Sequence, residues 1–380
     1  MNTLEILLDR RWILKSRDRE LYYRIKDELG TVKKFLTEKL GYQVIVNQHL
    51  IKAEKLPASP ENWMGIMEFT DKIEYVFFCM TLMFLEEKEA QEQFVLSELT
   101  EFIQGQYKEE QIDWTVYRYR RHLIRVLKYC AGCGIININD GSEESFAHDD
   151  TGEVLYENTG VSRWFMKNFT QDIMGYESPE DFEKEEWIDI DEDRGIVRRQ
   201  RVYRRLLMSM GMYRTPETEE DFNYIRNFRG MLQGELSELL DCELQVHRTS
   251  AFLVLGEECR MGRCFPENQM LSDAVLLVGG IIREMIQNGS IQLNAEEKIR
   301  IPAEMLDEIF EECKRRYIMG FNKTFRERTT GEFCRALNDY MTELGFLEHR
   351  RDEVWISTAV GKAVGEYPAD FQKSGGRDEQ

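Results

Sequence analysis

No run in this sequence approaches the roughly 20 consecutive apolar residues that a membrane-spanning helix needs, which argues against a helical membrane protein. The first apolar stretch, Met1 to Arg11, is interrupted by Glu5 and Asp9, so a secretory leader is not expected either. Histidine is scarce: the five present, His49, His122, His148, His247 and His349, are scattered, and none sits in a nucleophile or metalloprotease motif. There is no G-x-x-x-x-G-K-[ST] phosphate loop and no G-x-G-x-x-G after a strand. The eight cysteines are irregularly spaced, which in a large chain points to reduced thiols rather than a disulfide framework. Cys130 and Cys133 have C-x-x-C spacing, but Cys259 and Cys264 are five apart and complete no zinc site, so a structural role at a helix end is expected. Asp189, Asp191 and Asp193 resemble the start of a calcium loop, yet Arg194 stands where glycine is needed and Gln200 where the bidentate acid is needed. No catalytic, cofactor or metal residue is assigned, and the expectation is a protein without enzymatic activity.

What is present is the composition of a soluble globular protein, 42% apolar and 32% charged, in a chain of 380 residues that can fold as two or three domains. This reading places it in the cytoplasm. A net charge of −20 opposes coating of nucleic acid by the whole surface and leaves room only for local basic patches.

The most informative stretch runs from Asp113 to Arg163. Asp113 is expected to cap a helix on which Val116, Tyr119, Leu123, Leu127 and Cys130 form one face, while Arg118, Arg121, Arg125 and Lys128 form another. Gly134 stops it. Ile135 to Asn139 then reads as a strand, Asp140-Gly141 as a tight turn, and Val154-Leu155-Tyr156 as the return strand. Upstream, Leu4 to Leu8 suggests a short helix, and Leu21, Ile25, Val32, Leu36 and Leu40 a longer one that ends at Gly41. A strand at Tyr42 to Val46 can pair with Leu50 to Ala53. Thr70 is expected to cap a helix whose run Ile73 to Leu85 is apolar almost all round and should lie centrally. Phe94, Leu96, Leu99 and Phe102 mark another helix. Helix, helix, helix and hairpin is the winged helix-turn-helix order.

The second half repeats the first at an offset of about 200 residues. Ile25, Val32, Leu36 and Leu40 become Ile225, Leu232, Leu236 and Leu240, and Val44 and Val46 become Leu244 and Val246. Ser272 answers Thr70 as a cap, Pro302 opens a helix, and Thr329 with Glu332 forms a capping box before Phe333, Leu337 and Met341. Gly345-Phe346-Leu347 matches Gly134-Ile135-Ile136, with Arg351-Asp352 at a second hairpin turn. The expected fold is therefore mainly α with small β-hairpins, built as tandem, pseudo-duplicated winged-helix domains. Residues 1–160 would form the helical region and first winged helix, 161–200 an acidic linker, 201–368 the second winged-helix domain, and 369–380 a disordered tail.

Two basic clusters are candidates for DNA phosphate contacts: Arg118, Arg121, Arg125 and Lys128 on the helix after Asp113, and Arg198, Arg201 and Arg205 after the acidic stretch. The competing reading for each is a solvated face or pairing with neighbouring acids. In the second copy Glu332, Arg335, Asp339 and Glu343 would point outward, giving a face of mixed sign.

Three segments carry a family resemblance: Gly41-Tyr42-Gln43-Val44-Ile45-Val46 followed by Lys55-Leu56-Pro57; Asp113-Trp114-Thr115 leading to Arg120-Arg121-His122-Leu123; and Glu153-Val154-Leu155-Tyr156-Glu157-Asn158-Thr159-Gly160 with Ser162-Arg163. On these the chain resembles the MukE-like, kleisin-interacting subunit of Wadjet systems, bacterial SMC complexes that defend against plasmids. The resemblance spans roughly Leu4 to Pro368. It implies a non-enzymatic tandem winged-helix subunit that pairs with a copy of itself and binds a MukF-like kleisin. It also implies work beside a MukB-like SMC ATPase and a topoisomerase-related nuclease subunit on double-stranded DNA, without sequence preference, at the nucleoid or on plasmid DNA. The alternative is a free-standing winged-helix transcription regulator, which would bind a short palindrome by itself.

Overall fold

Asn2 opens the chain with a reciprocal cap: its side chain accepts from the Glu5 N–H at 2.9 Å while Glu5 accepts from the Asn2 N–H at 3.0 Å. The helix so started, α1 (Thr3–Asp9), leads to strand β1 (Ile13–Leu14) and then to α2 (Arg19–Glu38), capped by Asp18, whose carboxylate accepts from the Leu21 N–H. Tyr22, Ile25, Leu29, Val32, Phe35 and Leu36 make its buried stripe, and Gly41, at φ +64°, turns the chain into β2 (Val44–Val46) and β3 (Leu50–Ala53). The sheet order is β1-β3-β2. The structure, a computed structural model, describes residues 1–61, 64–109, 111–141, 152–167, 172–178, 181, 194–259, 261–262, 264–294, 298–365 and 367.

Next come α3 (Lys72–Glu86), β4 (Gln93–Val95), α4 (Leu96–Gln106), α5 (Tyr117–Cys133), β5 (Ile136–Asp140) and β6 (Leu155–Asn158), with sheet order β4-β6-β5. The same sequence of elements then recurs. A long helix α6 (Arg194–Met208) precedes β7 (Met212–Tyr213), α7 (Glu219–Ser237), β8 (Cys242–Val246) and β9 (Ser250–Leu255), in sheet order β7-β9-β8. After it stand α8 (Met270–Gln287), β10 (Ile299–Pro302), α9 (Ala303–Tyr317), a short α10 (Lys323–Glu327), α11 (Thr330–Glu343), β11 (Leu347–Arg350) and β12 (Glu353–Ile356), in sheet order β10-β12-β11. The fold is thus mainly α with small antiparallel three-stranded sheets. The offset holds in register as well as order, because Val46 faces Ile51 and Val246 faces Ala251. No helix among the described residues is long and apolar enough to cross a membrane.

The apolar cores divide the chain differently from the expected split at 160 and 201. One core joins Leu4, Ile25 and Leu36 of the first half to Val202, Leu206, Ile225 and Leu232 of the second, so the opening units of both halves fold against each other. Two further cores belong to the hairpin-bearing units, one around Phe77, Leu99, Leu127 and Tyr156, the other around Val278, Phe310, Leu337 and Ile356. The reason is area: a short helix pair on a three-stranded sheet leaves too much apolar surface wet, and two such units cover each other. Nor does 161–200 form a single linker. Its last residues begin α6, where Gln200 is buried. The triad Asp189, Asp191 and Asp193 and the tail 369–380 lie outside the described residues.

Several local expectations change. Asp71, not Thr70, caps α3, accepting from the Ile73 N–H at 3.1 Å, and Glu74 completes the box. Ser272 is not a cap; it sits buried in the first turn of α8, where its hydroxyl accepts from the Glu267 N–H at 2.9 Å. Phe94 belongs to β4. The run along α3 is not enclosed on all sides, since Tyr75, Cys79 and Met83 are exposed. The capping box of Thr329 and Glu332 and the start of α9 after Pro302 are as expected. All eight cysteines are free thiols.

Candidate nucleic-acid interface

The start of α5 is set by a buried arginine. Asp113 does not cap this helix; it closes a turn by accepting from the Thr115 N–H and hydroxyl at 2.9 and 2.7 Å. Arg120 then reaches back to donate to the Trp114 and Thr115 carbonyls at 2.7 and 2.8 Å. Leu123, Ile124, Val126, Leu127 and Cys130 face the core, whereas Val116 is exposed and Tyr119 half-buried. At the far end Gly134 takes φ +80°, and Arg17 from the first unit donates to the Gly132 carbonyl at 2.5 Å and to that of Ala131, placing a cation where the helix dipole favours one.

The four cations of the stripe do not behave alike. Arg121 and Lys128 are exposed, and Arg121 forms no ion pair among the described residues. Arg118, 68% exposed, stands 3.7 Å from Asp71. Arg125 is turned inward, donating to the Thr70 hydroxyl at 2.6 Å and to Glu74. The cause is the neighbour: the first turn of α3 puts Asp71 and Glu74 against the edge of the stripe that carries Arg118, His122 and Arg125. Glu74 is fully buried and also accepts from the Thr70 N–H and from His122 Nδ1, both at 2.6 Å. Burial alone would push its carboxyl up, but the bonds from His122 and the Thr70 N–H together with the Arg125 charge hold it below the ordinary glutamate range. The outward basic face of α5 is therefore Arg118, Arg121 and Lys128.

The second cluster is structural. Arg201 grips Asp221 with two nitrogens, one at 2.6 Å, and Arg198 binds Glu220. Arg205 donates to the Ser59 hydroxyl at 2.8 Å and lies 3.6 Å from Glu61. The expectation that Arg198, Arg201 and Arg205 offer a free phosphate-binding surface is corrected: acids at the first turn of α7 and in the loop after β3 engage them, Arg198 and Arg201 within the second opening unit and Arg205 across to the first. Between them Arg204 is fully buried, donating to the Leu40 carbonyl at 2.6 Å and lying 5.1 Å from the Tyr42 ring. On α11 the exposed residues Glu332, Arg335, Asp339 and Glu343 do give a face of mixed sign.

The stretch from Tyr156 to Gly160, which carries part of the resemblance, ties the β4-β6-β5 sheet to the helices beside it. Asn158, buried, donates to the Leu85 and Lys88 carbonyls at 3.1 Å and so closes the end of α3. Thr159 donates to the Gly134 and Ile135 carbonyls at 2.8 Å, and Gly160, at φ +75°, leaves no room for a Cβ, which would meet Ala90 at 2.7 Å. Cys130 is buried within α5, and Cys133 fixes the same end through its carbonyl, which accepts from the Trp12 indole at 2.9 Å.

A third set of cations, on α2 and just before it, was not singled out by periodicity. Between Arg10 and Lys26 the sequence has seven cations and two acids, a local excess that a windowed charge count would have found in a chain this acidic.

A family model described as a protein of unknown function (DUF2398) matches residues 4–366. No curated protein matches the chain. No solved structure matches it either.

Proposed function

We propose, from the premise that the chain belongs to the DUF2398 family, that it is a non-enzymatic scaffold: the MukE-like subunit of a Wadjet-type SMC complex acting against plasmids. In residues 72–158 the order helix, strand, helix, helix, strand, strand, with the last strand central, supports reading this unit as a winged helix; 270–356 repeats it apart from the short α10. Its partners would be a MukF-like kleisin, a MukB-like SMC ATPase, a topoisomerase-related nuclease subunit and a second copy of itself. The setting would be cytoplasmic, on nucleoid or plasmid DNA. ATP hydrolysis and strand cleavage belong to those partners.

The observation that carries the DNA reading is the outward trio Arg118, Arg121 and Lys128 on the third helix of the first such unit. Phosphate contacts of this kind read little sequence and weaken steeply with salt. Reversing the three charges should weaken DNA binding by the assembled complex, with a salt slope shallower by roughly 2 to 3, while assembly with the kleisin survives. Unchanged binding would remove the trio from the interface. Tight, sequence-dependent binding by the chain alone would favour the free-standing regulator instead.

A further inference from the structure

The two opening units have the same fold at an offset of 200, which allows one position to be compared with its counterpart inside one molecule. On α2 the outward residues Arg19, Tyr23, Lys26, Gly30, Lys33 and Lys34 fall within one helical face, all exposed, with no acid among them; Glu20 and Asp27 flank it. Lys15, at the end of β1, extends this face. Among the described residues, Lys15, Arg19, Lys26 and Lys33 form no ion pair. On α7 the corresponding residues are Glu219, Asn223, Arg226, Gly230, Gln233 and Gly234. Arg214 is the counterpart of Lys15, since the Lys15 N–H bonds the His49 carbonyl as the Arg214 N–H bonds that of Thr249, both at 2.9 Å. There the charge is cancelled: Glu219, in the place of Arg19, clasps Arg214 with two bonds of 2.7 Å. The fold therefore does not require the cations of α2.

These cations border a cleft of about 420 Å³ between the start of α2 and the β2–β3 turn, lined by Lys15, Tyr22, Tyr23, Lys26, Asn47 and Gln48. Its floor is rigid. Tyr22 donates its hydroxyl to the Asn47 carbonyl at 2.5 Å, and the Asn47 side-chain oxygen accepts from the His49 and Leu50 N–H groups at 2.8 and 3.0 Å. The Asn47 amide nitrogen, buried, has no hydrogen-bond partner among the described residues. Tyr23 stands in the mouth with Lys15 Nζ 5.2 Å and the Arg19 guanidinium 5.8 Å from its ring. The hydrogen bond from Lys15, followed by its charge, pulls the Tyr23 hydroxyl below its ordinary value, as expected where positive potential is uncompensated.

We infer that this face, Lys15, Arg19, Lys26 and Lys33 around the Asn47 cleft, binds the phosphodiester backbone of duplex DNA and is a second contact surface, separate from α5. The choice of ligand rests on the reading of the chain as a DNA-associated subunit; the site itself does not. Arg19, Lys26 and Lys33 span about 21 Å along α2, with Lys15 beside its start, a spread that can follow phosphates along a duplex. The acidic remainder of the molecule is screened beyond roughly 8 Å at physiological salt, so it confines the DNA to this side rather than expelling it.

The test measures anisotropy of a labelled duplex of about 30 base pairs with the full chain between roughly 50 and 200 mM NaCl. The combined variant Lys15→Glu, Arg19→Glu, Lys26→Glu should bind more than tenfold more weakly at the lowest salt, with a slope shallower by about 2 to 3. Gly30 offers a variant that leaves packing alone, because a Cβ there meets nothing within 4 Å. Gly30→Glu should weaken binding several-fold, Gly30→Ala should not, and Arg226→Glu on α7 should have no effect. The inference is overturned if the triple variant and Gly30→Glu bind as the parent does, if Arg226→Glu weakens binding equally, or if the parent binds no duplex at the lowest salt. Preference for an unstructured single strand by tenfold or more would replace duplex as the ligand and overturn it too. Reversal of Arg118, Arg121 and Lys128 is run beside these: loss of binding there with the α2 variants intact sinks this inference alone, and the reverse pattern sinks only the α5 reading.

Discussion

Replacing Glu74 with alanine is the sharpest probe of how the first hairpin-bearing unit is held together. Its carboxylate has no exposed side-chain surface and accepts from the Thr70 N–H at 2.6 Å, the Asp71 N–H at 3.3 Å, His122 Nδ1 at 2.6 Å and the Arg125 guanidinium. Alanine would leave two helix-end N–H groups without an acceptor and Arg125 beside His122 without a counter-charge. Removing one partner of a buried ion pair costs about 3 to 5 kcal/mol; Arg125 keeps 26% of its side chain in water, which places the loss near the lower figure. For a unit of this size that is a fall in melting temperature of roughly 12 to 24 °C at pH 7. Glu74→Gln keeps a carbonyl for the backbone donors and should lose about half as much. The sign with pH follows from the lowered carboxyl: the contribution is fully present above the ordinary glutamate value of 4.5 and fades as pH falls through the lower value of the folded state. Thermal unfolding followed by circular dichroism should therefore show parent and Glu74→Gln converging in acid. A Glu74→Ala melt within about 2 °C of the parent at pH 7, or a difference that does not change with pH, would refute this account.

Two other perturbations separate structural from DNA-contacting roles. Arg201→Ala should destabilise the shared core of the opening units by roughly 1 to 2 kcal/mol in urea, discounted for the exposed part of its guanidinium, because Asp221 stays buried with its two-pronged partner gone and only the longer 3.9 Å contact to Arg198 left among the described ion pairs. Duplex affinity of the folded fraction should be unchanged, and a loss confined to DNA binding would contradict the assignment. Gly279→Ala would set a Cβ 2.2 Å from the Ala363 carbonyl oxygen, so α8 and the segment after β12 must part; a loss of about 2 kcal/mol with increased proteolysis near Ala363 is expected, and parental stability would show that this packing is looser than described.

The basic stripe of α5 is legible in the sequence and departs from it in structure for a reason of reach. Periodicity shows which residues share a face, not what lies opposite. Arg125 meets an acid 51 positions away, and a helical projection has no record of that. Arg198, Arg201 and Arg205 and the α2 cations are alike as charge runs; one set is clasped by Glu220, Asp221 and Glu61, and Lys15, Arg19, Lys26 and Lys33 of the other form no ion pair among the described residues.

Sequence alone decided what depends on near neighbours: helical stripes such as Ile25, Val32 and Leu36, the box of Thr329 and Glu332, the left-handed turn at Gly134, and the doubled order of elements, because these rest on contacts within a few residues or on a repeating period. Tertiary structure alone decided that the opening units of both halves share one core and which cations are clasped by carboxylates. Those outcomes turn on elements far apart in the chain competing for the same apolar area and the same few carboxylates, and no local pattern encodes which of them meet.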